Sequence, residues 1–561
     1  MKPYIQRNAI VSMTVNAADE EGAEILTTAD MKECGLELML EHLTLDARLS
    51  VAQKEDLKGI VAEFKEVFSN RPGRTTVLEH DIELTSEQPI RSKPYRCSPV
   101  QKKIMAEEIQ RMRDLGVVPS ESDYTSPLIL VQVPGKDPRP CVDYQRLNVI
   151  TRDQTYLIPN LEERVETVSK SNYISTLDLV RGYWQVPVTE RASRCAAFVS
   201  PFGTFRPLML SFGLKNAPYC FSSLMDRVLY GLGEFALPYL DDIAIFSDTW
   251  EAHLEHLRDV LSRLKEAGFT VKPAKCHLGC GEVTYLGHVV GRGRRRPSDI
   301  KVAAIVNYPR PTTKTDIRAF LGLAGYYQHY VRDFSDLASP LTDALRKSEP
   351  VKVTWDPKKE NAFQMLKRAL SYKPVLTAPD FSKGFIIQCD ASDRGMGAVL
   401  CQEDTSGHER PILYLSRKLS CREEAYSTSE KECACVVWAV QKLACYVSSS
   451  KFIVETDHCP LTWLSNMSSK SGRLLRWSMT LQQHNLVILG DNAVSSDPGP
   501  VSGTWAREAA WRPDTGRELG RAGRTCALGI RATWKQLVFP APYLRAGMLL
   551  CPDNQPGFHI Y

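Results

Sequence analysis

The sequence predicts an α+β chain that closes with a separate, mixed α/β unit, and three observations carry that prediction. Short apolar runs of strand type mix with helical patterns from about residue 75 to 290. Residues 297 to 380 carry mainly helical periodicity, in segments such as TDIRAFLGLAGYYQHYV and KENAFQMLKRAL. Beyond Pro379 a series of strand-like runs gives way to a long helical pattern and one more strand, the order of an α/β layer.

Taken in order, residues 1–74 are weakly patterned, with one amphipathic helix expected over VAQKEDLKGIVAEFKEVF and a break at Arg71-Pro72-Gly73. PVQKKIMAEEIQRMRDLG places Val100, Ile104, Met105, Ile109 and Met112 on one helical face and stops at Gly116. SPLILVQVPGKDPRPCVDYQRLN reads as two strands around a Gly/Pro turn. ALPYLDDIAIFS reads as a hairpin with a pair of acids at its tip. EAHLEHLRDVLSRLKEAG is a helix with Leu254, Leu257, Leu261 and Leu264 inward, closed by Gly268. TYLGHVV is expected to be a strand running into a turn with arginines at 292, 294, 295 and 296. That turn suits either solvent or a phosphate. FIIQCDAS, AVLCQ and PILYLSRKL are the later strands, followed by the helix EKECACVVWAVQKLACYV and the strand FIVETDH.

At 561 residues the chain is long enough for several cored domains, and 43% hydrophobic with 24% charged content is ordinary for soluble protein. No run approaches a membrane span, and the start lacks the apolar stretch of a signal peptide. The 16 cysteines show no spaced framework, so reduced thiols and an intracellular setting are expected, without a zinc site at Cys276 and Cys280. A net charge of +4 is too small to identify a nucleic-acid partner.

Asp241 and Asp242 are adjacent, and a third acid, Asp178, ends the strand-like run of YISTLDLVRGYW. Taken alone, an Asp-Asp pair is an ordinary polar turn. Three carboxylates brought together would repel unless divalent cations shared them, which makes a two-magnesium site the sharper expectation.

The blocks RPCVDYQRLN (139–148), STLDLVRGYWQVPV (175–188), SFGLKNAPYCF (211–221), YLDDIAIFS (239–247) and YLGHVV (285–290) stand in one order. In that order they resemble the reverse transcriptases of gypsy-type LTR retrotransposons, over roughly residues 60 to 495. The resemblance implies an α+β right-hand polymerase (fingers, palm, thumb) followed by a mixed α/β ribonuclease H-like domain. It implies that Asp178, Asp241 and Asp242 hold two Mg²⁺ ions, Asp242 being the more structural of the three. Lys136 and Arg139 then match triphosphate-binding cations, and Tyr183 matches the aromatic gate against a 2'-hydroxyl. Phe212 and Gly213 begin the block that touches the incoming nucleotide, Asn216-Ala217-Pro218 shapes the turn into the next helix, and Leu286, Gly287 and His288 match the primer grip. One departure is Gln145, where the family carries arginine; Arg146 follows, but from the opposite face of a strand.

The C-terminal blocks QCDASDRGMGAVL (388–400), YSTSEKECACVVWAV (426–440) and ETDHCPLTWL (455–464) resemble the ribonuclease H domain that follows such polymerases. The resemblance assigns Asp390, Glu432 and Asp457 to metal binding. Asp390 and Asp457 interrupt apolar strands, where a buried unpaired acid would be costly, whereas Glu432 taken alone suits a solvated helix face. The fourth acid frays: an ungapped reading puts Ser496 in its place, with Asp497 one residue late and Pro498 behind it.

The implied organisation is an N-terminal linker (1–74), fingers and palm (75–290), thumb/connection (291–380), a ribonuclease H-like domain (381–497) and an unmatched tail (498–561). The implied activity is RNA-directed DNA synthesis from a primer 3'-hydroxyl and dNTPs, coupled to impaired cleavage of RNA–DNA hybrids. Mg²⁺, two ions per active site, is the expected cofactor and Mn²⁺ a substitute. Partners are an RNA template, a DNA primer, the RNA–DNA hybrid and other retroelement products, but no membrane. The setting is a cytoplasmic particle or the nucleus. No aspartic-protease signature, zinc knuckle or integrase module is evident, so a central piece of a Pol polyprotein is expected. The rival reading is a catalytically defective nucleic-acid-binding descendant, favoured by Gln145, Ser496 and the unmatched tail.

Overall fold

The computed structural model describes residues 43–131, 139–155, 159–448, 450–456 and 472–490. Four sheets organise these residues. The first has the strand order Thr44–Leu45, His277–Cys280, Tyr173–Asp178, Asp242–Ser247, Ala236–Tyr239. The helix Trp250–Glu266 packs on it with Leu257, Leu261 and Leu264 fully buried; Thr249 caps its start and Gly268, at φ +75°, follows its end. Leu254 is only half-buried, and Val260 and His253 complete the inward face.

A second sheet, Val117–Pro119, Gly203–Pro207, Phe198–Ser200, Ser126–Val131 and Arg139–Val142, shares the same apolar core. The helix Pro99–Asp114 starts from a Ser98/Gln101 capping box and buries Met105 and Ile109. Val100 is exposed rather than inward, because it lies in the first turn, while Glu108 is buried and paired with Arg111. Gln145 and Arg146 begin a helix, Gln145–Ile150, and do not alternate along a strand. Both are exposed, and Arg146 Nη1 donates to Arg91 O at 3.0 Å. Strand alternation therefore does not govern where Arg146 points.

TYLGHVV is a hairpin and not one strand. Val283–Tyr285 pairs with His288–Gly291 around Leu286 and Gly287, and Arg294–Pro297 and Leu376–Thr377 extend this third sheet. Three of the four arginines therefore sit on a strand rather than in a solvated turn. Arg295 is buried and ion-paired, Arg296 pairs with Asp299, and Arg292 and Arg294 are exposed. Between these strands run four helices, Asp299–Val306, Lys314–Gly325, Phe334–Asp343 and Pro357–Ser371, around Phe320, Phe363 and Leu366.

The fourth sheet has the order Glu409–Lys418, Gly395–Glu403, Phe385–Ala391, Phe452–Thr456, Leu486–Gly490. Its two parallel pairs and the helix Thr428–Lys442, capped by Ser427 and Glu430, make it a mixed α/β layer. Among the described residues every cysteine is a free thiol, and no helix is long and apolar enough to cross a membrane.

Candidate active sites

The register of the first sheet gathers the three aspartates at one end. Asp178 ends its strand directly opposite Asp242, and Tyr239 pairs with Asp242 to leave only Leu240 and Asp241 in the turn. Leu240 takes φ +50°, a costly conformation for a leucine, and such strain persists where surrounding structure over-determines it. Here the Leu179 N–H holds Asp241 O at 2.9 Å and the Lys272 N–H holds Asp178 O at 2.8 Å.

Asp241 Oδ1 is buried with no hydrogen-bond partner among the described residues. Burial first, then the negative charge of Asp178 and Asp242, pushes its carboxyl up to about 7, against an opposing pull from Lys275. Lys275 Nζ stands 3.8 Å from Asp178 Oδ2. Gly182 makes the close approach possible: a Cβ there would fall 2.3 Å from Asp241 Oδ1 and 2.8 Å from Phe221 Cζ. Among the described residues no three acidic, imidazole or thiol groups are drawn together closely enough to chelate an ion. The donor set nonetheless fits a hard divalent cation: oxygen ligands, excess negative charge and one orphaned buried carboxylate oxygen.

Of the other expected residues, Tyr183 stands near Asp241. Tyr183 is buried, its ring 4.8 Å from Phe212 and 5.3 Å from Phe221. Burial and the nearby Asp241 raise its hydroxyl above the ordinary tyrosine range. Gly213 adopts φ +90°, and Asn148 Nδ2 donates to its carbonyl at 2.8 Å. Asn216 Nδ2 donates to Arg152 O at 2.9 Å immediately before the helix Ala217–Val228. Arg139 starts the strand opposite Val131, while Lys136 lies outside the described residues. Leu286 and Gly287 form the hairpin turn at φ +48° and +74°. His288 turns inward: its Nδ1 is 2.8 Å from Tyr330 Oη, and burial lowers its imidazole to about 3. Its side chain is thus occupied within the protein.

In the fourth sheet Asp390 lies on the central strand opposite Gly397. It is exposed, so the argument from a costly buried acid does not apply to it. Glu432 is the buried one, not a solvated helix position, and its Oε1 accepts from the Ala391 N–H at 3.2 Å. That bond holds Glu432 at the peptide immediately after Asp390. The strand Phe452–Thr456 runs parallel to Phe385–Ala391 with Cys389 opposite Thr456. Asp457, Ser496 and Asp497 lie outside the described residues.

Reading the sequence missed several residues that shape these sites. Gly182 lies inside the quoted STLDLVRGYWQVPV block and was legible as a glycine between an acid and an aromatic. Lys275, Glu166 and the tyrosines at 326, 327 and 330 carried no local signal, because their partners are distant in the chain.

Residues 131–290 match the family described as reverse transcriptase (RNA-dependent DNA polymerase), and residues 380–484 match the RNase H-like domain found in reverse transcriptase. The chain therefore carries a reverse transcriptase domain followed by an RNase H-like domain. It is similar to the retrovirus-related Pol polyproteins of transposons, gypsy among them. It is 33% identical to the Pol polyprotein from transposon 297 of Drosophila melanogaster, over 86% of this chain and 45% of that relative. Against the gypsy Pol polyprotein of the same organism it is 32% identical over 78% of this chain and 44% of the relative. The chain thus spans less than half the length of these curated relatives. Its fold is similar to the foamy viral protease-reverse transcriptase solved in complex with dsDNA, at TM-score 0.72 and 20% identity, covering 85% of this chain and 100% of that one. The same viral protein in complex with an RNA/DNA hybrid matches at TM-score 0.66 and 21% identity, covering 86% and 66%.

Proposed function

We propose that this chain is an RNA-directed DNA polymerase that extends a primer 3'-hydroxyl with dNTPs and cleaves the RNA strand of the resulting hybrid. One observation carries the reading: Asp178, Asp241 and Asp242 share one sheet end, with an orphaned buried oxygen on Asp241. Mg²⁺ ions bound there, or Mn²⁺ in their place, would acidify the primer hydroxyl and offset charge on the leaving pyrophosphate.

The chain's own residues supply the rest. Asp178, Asp241 and Asp242 would hold the two cations. Arg139 and Lys136 neutralise and orient the triphosphate, for which the arginine fork suits phosphate oxygens. Tyr183, fixed between Phe212 and Phe221, leaves no room for a 2'-hydroxyl. Phe212 and Gly213 border the nucleotide, and the Leu286–Gly287 turn positions the primer end. Asp390, Glu432 and Asp457 serve hybrid cleavage, with Asp497 or Ser496 at the incomplete fourth position. The partners are an RNA template, a DNA primer and their hybrid, within a cytoplasmic particle or the nucleus.

The test is extension of oligo(dT) on poly(rA) by the purified chain with dTTP and Mg²⁺. Replacing Asp178 and Asp241 together by asparagine abolishes it; extension by that double variant refutes the proposal.

A further inference from the structure

The Leu286–Gly287 turn is built in a way its own residues do not favour. Two successive positive φ values, +48° and +74°, join the antiparallel strands at the Tyr285–His288 pair. Such two-residue turns favour Asn-Gly or Gly-Gly, and the left-handed region is disfavoured for leucine. Gly287 meets the conformational demand at the second position; Leu286 does not.

Side-chain support for the turn comes from one short segment some forty residues later. Tyr326 Oη donates to Leu286 O at 2.7 Å, and Tyr327 Oη donates to Gly287 O at 2.6 Å. The Ser298 N–H also donates to Gly287 O, at 3.0 Å. Tyr330 Oη meets His288 Nδ1 at 2.8 Å, and the imidazole lies 5.3–5.5 Å from all three tyrosine rings. Both carbonyls of the turn are therefore capped by phenols from the end of the helix Lys314–Gly325 and the turn that follows it.

The same turn shares an apolar cluster with the strand that leads into the Asp241 hairpin, through Leu286 and Leu237. Tyr327 and Tyr330 are buried, whereas Tyr326 is 44% exposed and keeps its ring beside Gly287 at the surface. A displaced turn would move whatever rests on it relative to Asp241.

We propose that Tyr326 and Tyr327 are positioning residues for polymerisation: their hydroxyls hold the Leu286 and Gly287 carbonyls so that the helical segment and the primer-bearing turn act as one unit against the Asp241 hairpin. This rests on the polymerase reading above and on the primer-positioning role given there to the turn.

The test uses the full chain with Tyr326→Phe, Tyr327→Phe and the double variant, which keep every ring and remove only the hydroxyls. Single-turnover incorporation on a primer–template is measured together with burst amplitude, which counts active molecules. Each hydroxyl lost lowers the maximal single-turnover rate about 5-fold, and the pair about 20-fold, with amplitude and dNTP KM unchanged. A double variant within twofold of the parent in rate overturns the proposal. So does a loss that appears wholly as reduced amplitude, the signature of a merely structural role. Should the parent itself not extend, the polymerase reading has failed and not the clamp. Fluorescence of 2-aminopurine at the primer terminus then decides: altered emission in the double variant supports the clamp. Identical emission, or no primer–template binding by the parent, overturns it.

Discussion

Removing Arg295 should loosen the junction between the two family-matched regions. Arg295 Nη1 lies 2.8 Å from Glu166 Oε1, with the two side chains only 5% and 9% exposed. Its Nη2 donates to Ile412 O at 2.9 Å, and Tyr446 Oη donates to the same Glu166 oxygen at 2.7 Å. Glu166 belongs to the reverse transcriptase region, whereas Ile412 and Tyr446 belong to the RNase H-like region. At an effective dielectric of 20, opposite charges at this separation attract by about 6 kcal/mol before desolvation is counted. Arg295→Met leaves a buried carboxylate without its cation and a carbonyl without its donor, a net loss of about 3–5 kcal/mol. Adding Glu166→Gln removes the stranded charge and should recover at least about 1 kcal/mol, since the Tyr446 hydroxyl can still donate to the amide oxygen. A chain with several cores does not unfold in two states, so amide hydrogen exchange at these junction strands is the better measurement. Arg295→Met should speed exchange on the strand Glu409–Lys418 by about 100-fold, and the double variant should reverse part of that. Exchange within threefold of the parent, or a double variant no slower than the single, refutes the reasoning.

Other outcomes follow from the same geometry. Gly182→Ala drives a methyl into Asp241 Oδ1 and Phe221, so extension should fall about 100-fold, read by single-nucleotide kinetics. His80, His253 and His288 are buried, and desolvation lowers them to about 4, 3 and 3. Because these folded values lie below the unfolded value of about 6.5, their stabilisation is complete above that pH and is lost as pH falls towards 4 and 3. Each imidazole contributes a slope of about 1.4 kcal/mol per pH unit in that window, and His253→Gln should flatten the acid limb of a urea-midpoint profile. Tyr183→Ala should raise rNTP over dNTP incorporation; an unchanged ratio assigns Tyr183 to packing alone. Ser496→Asp should increase Mg²⁺-supported hybrid cleavage if Ser496 stands at the ligand position; loss of cleavage on replacing Asp497 instead identifies the shifted acid as the ligand.

Much of this protein was determined by its sequence alone, and for a local reason. Period-two runs closed by turn residues specify strands wherever one face is buried, so Tyr173–Asp178 and the Asp241 hairpin were legible residue by residue. Leucines at helical spacing specified Trp250–Glu266, and Gly268 marked its end. Order and spacing of the blocks then placed Asp178, Asp241, Asp242 and Glu432 in the chain. Tertiary structure decided what depends on a distant partner. The run TYLGHVV reads as continuous strand, whereas in the fold it turns back at a disfavoured leucine whose carbonyl accepts from the distant Tyr326 hydroxyl. Arg295 reads as one of a basic group facing solvent or a phosphate, whereas the fold buries it against Glu166 and the Ile412 carbonyl. Asp390 and Glu432 exchanged their expected exposures because burial is a property of what packs alongside, which a single strand or helix pattern does not encode.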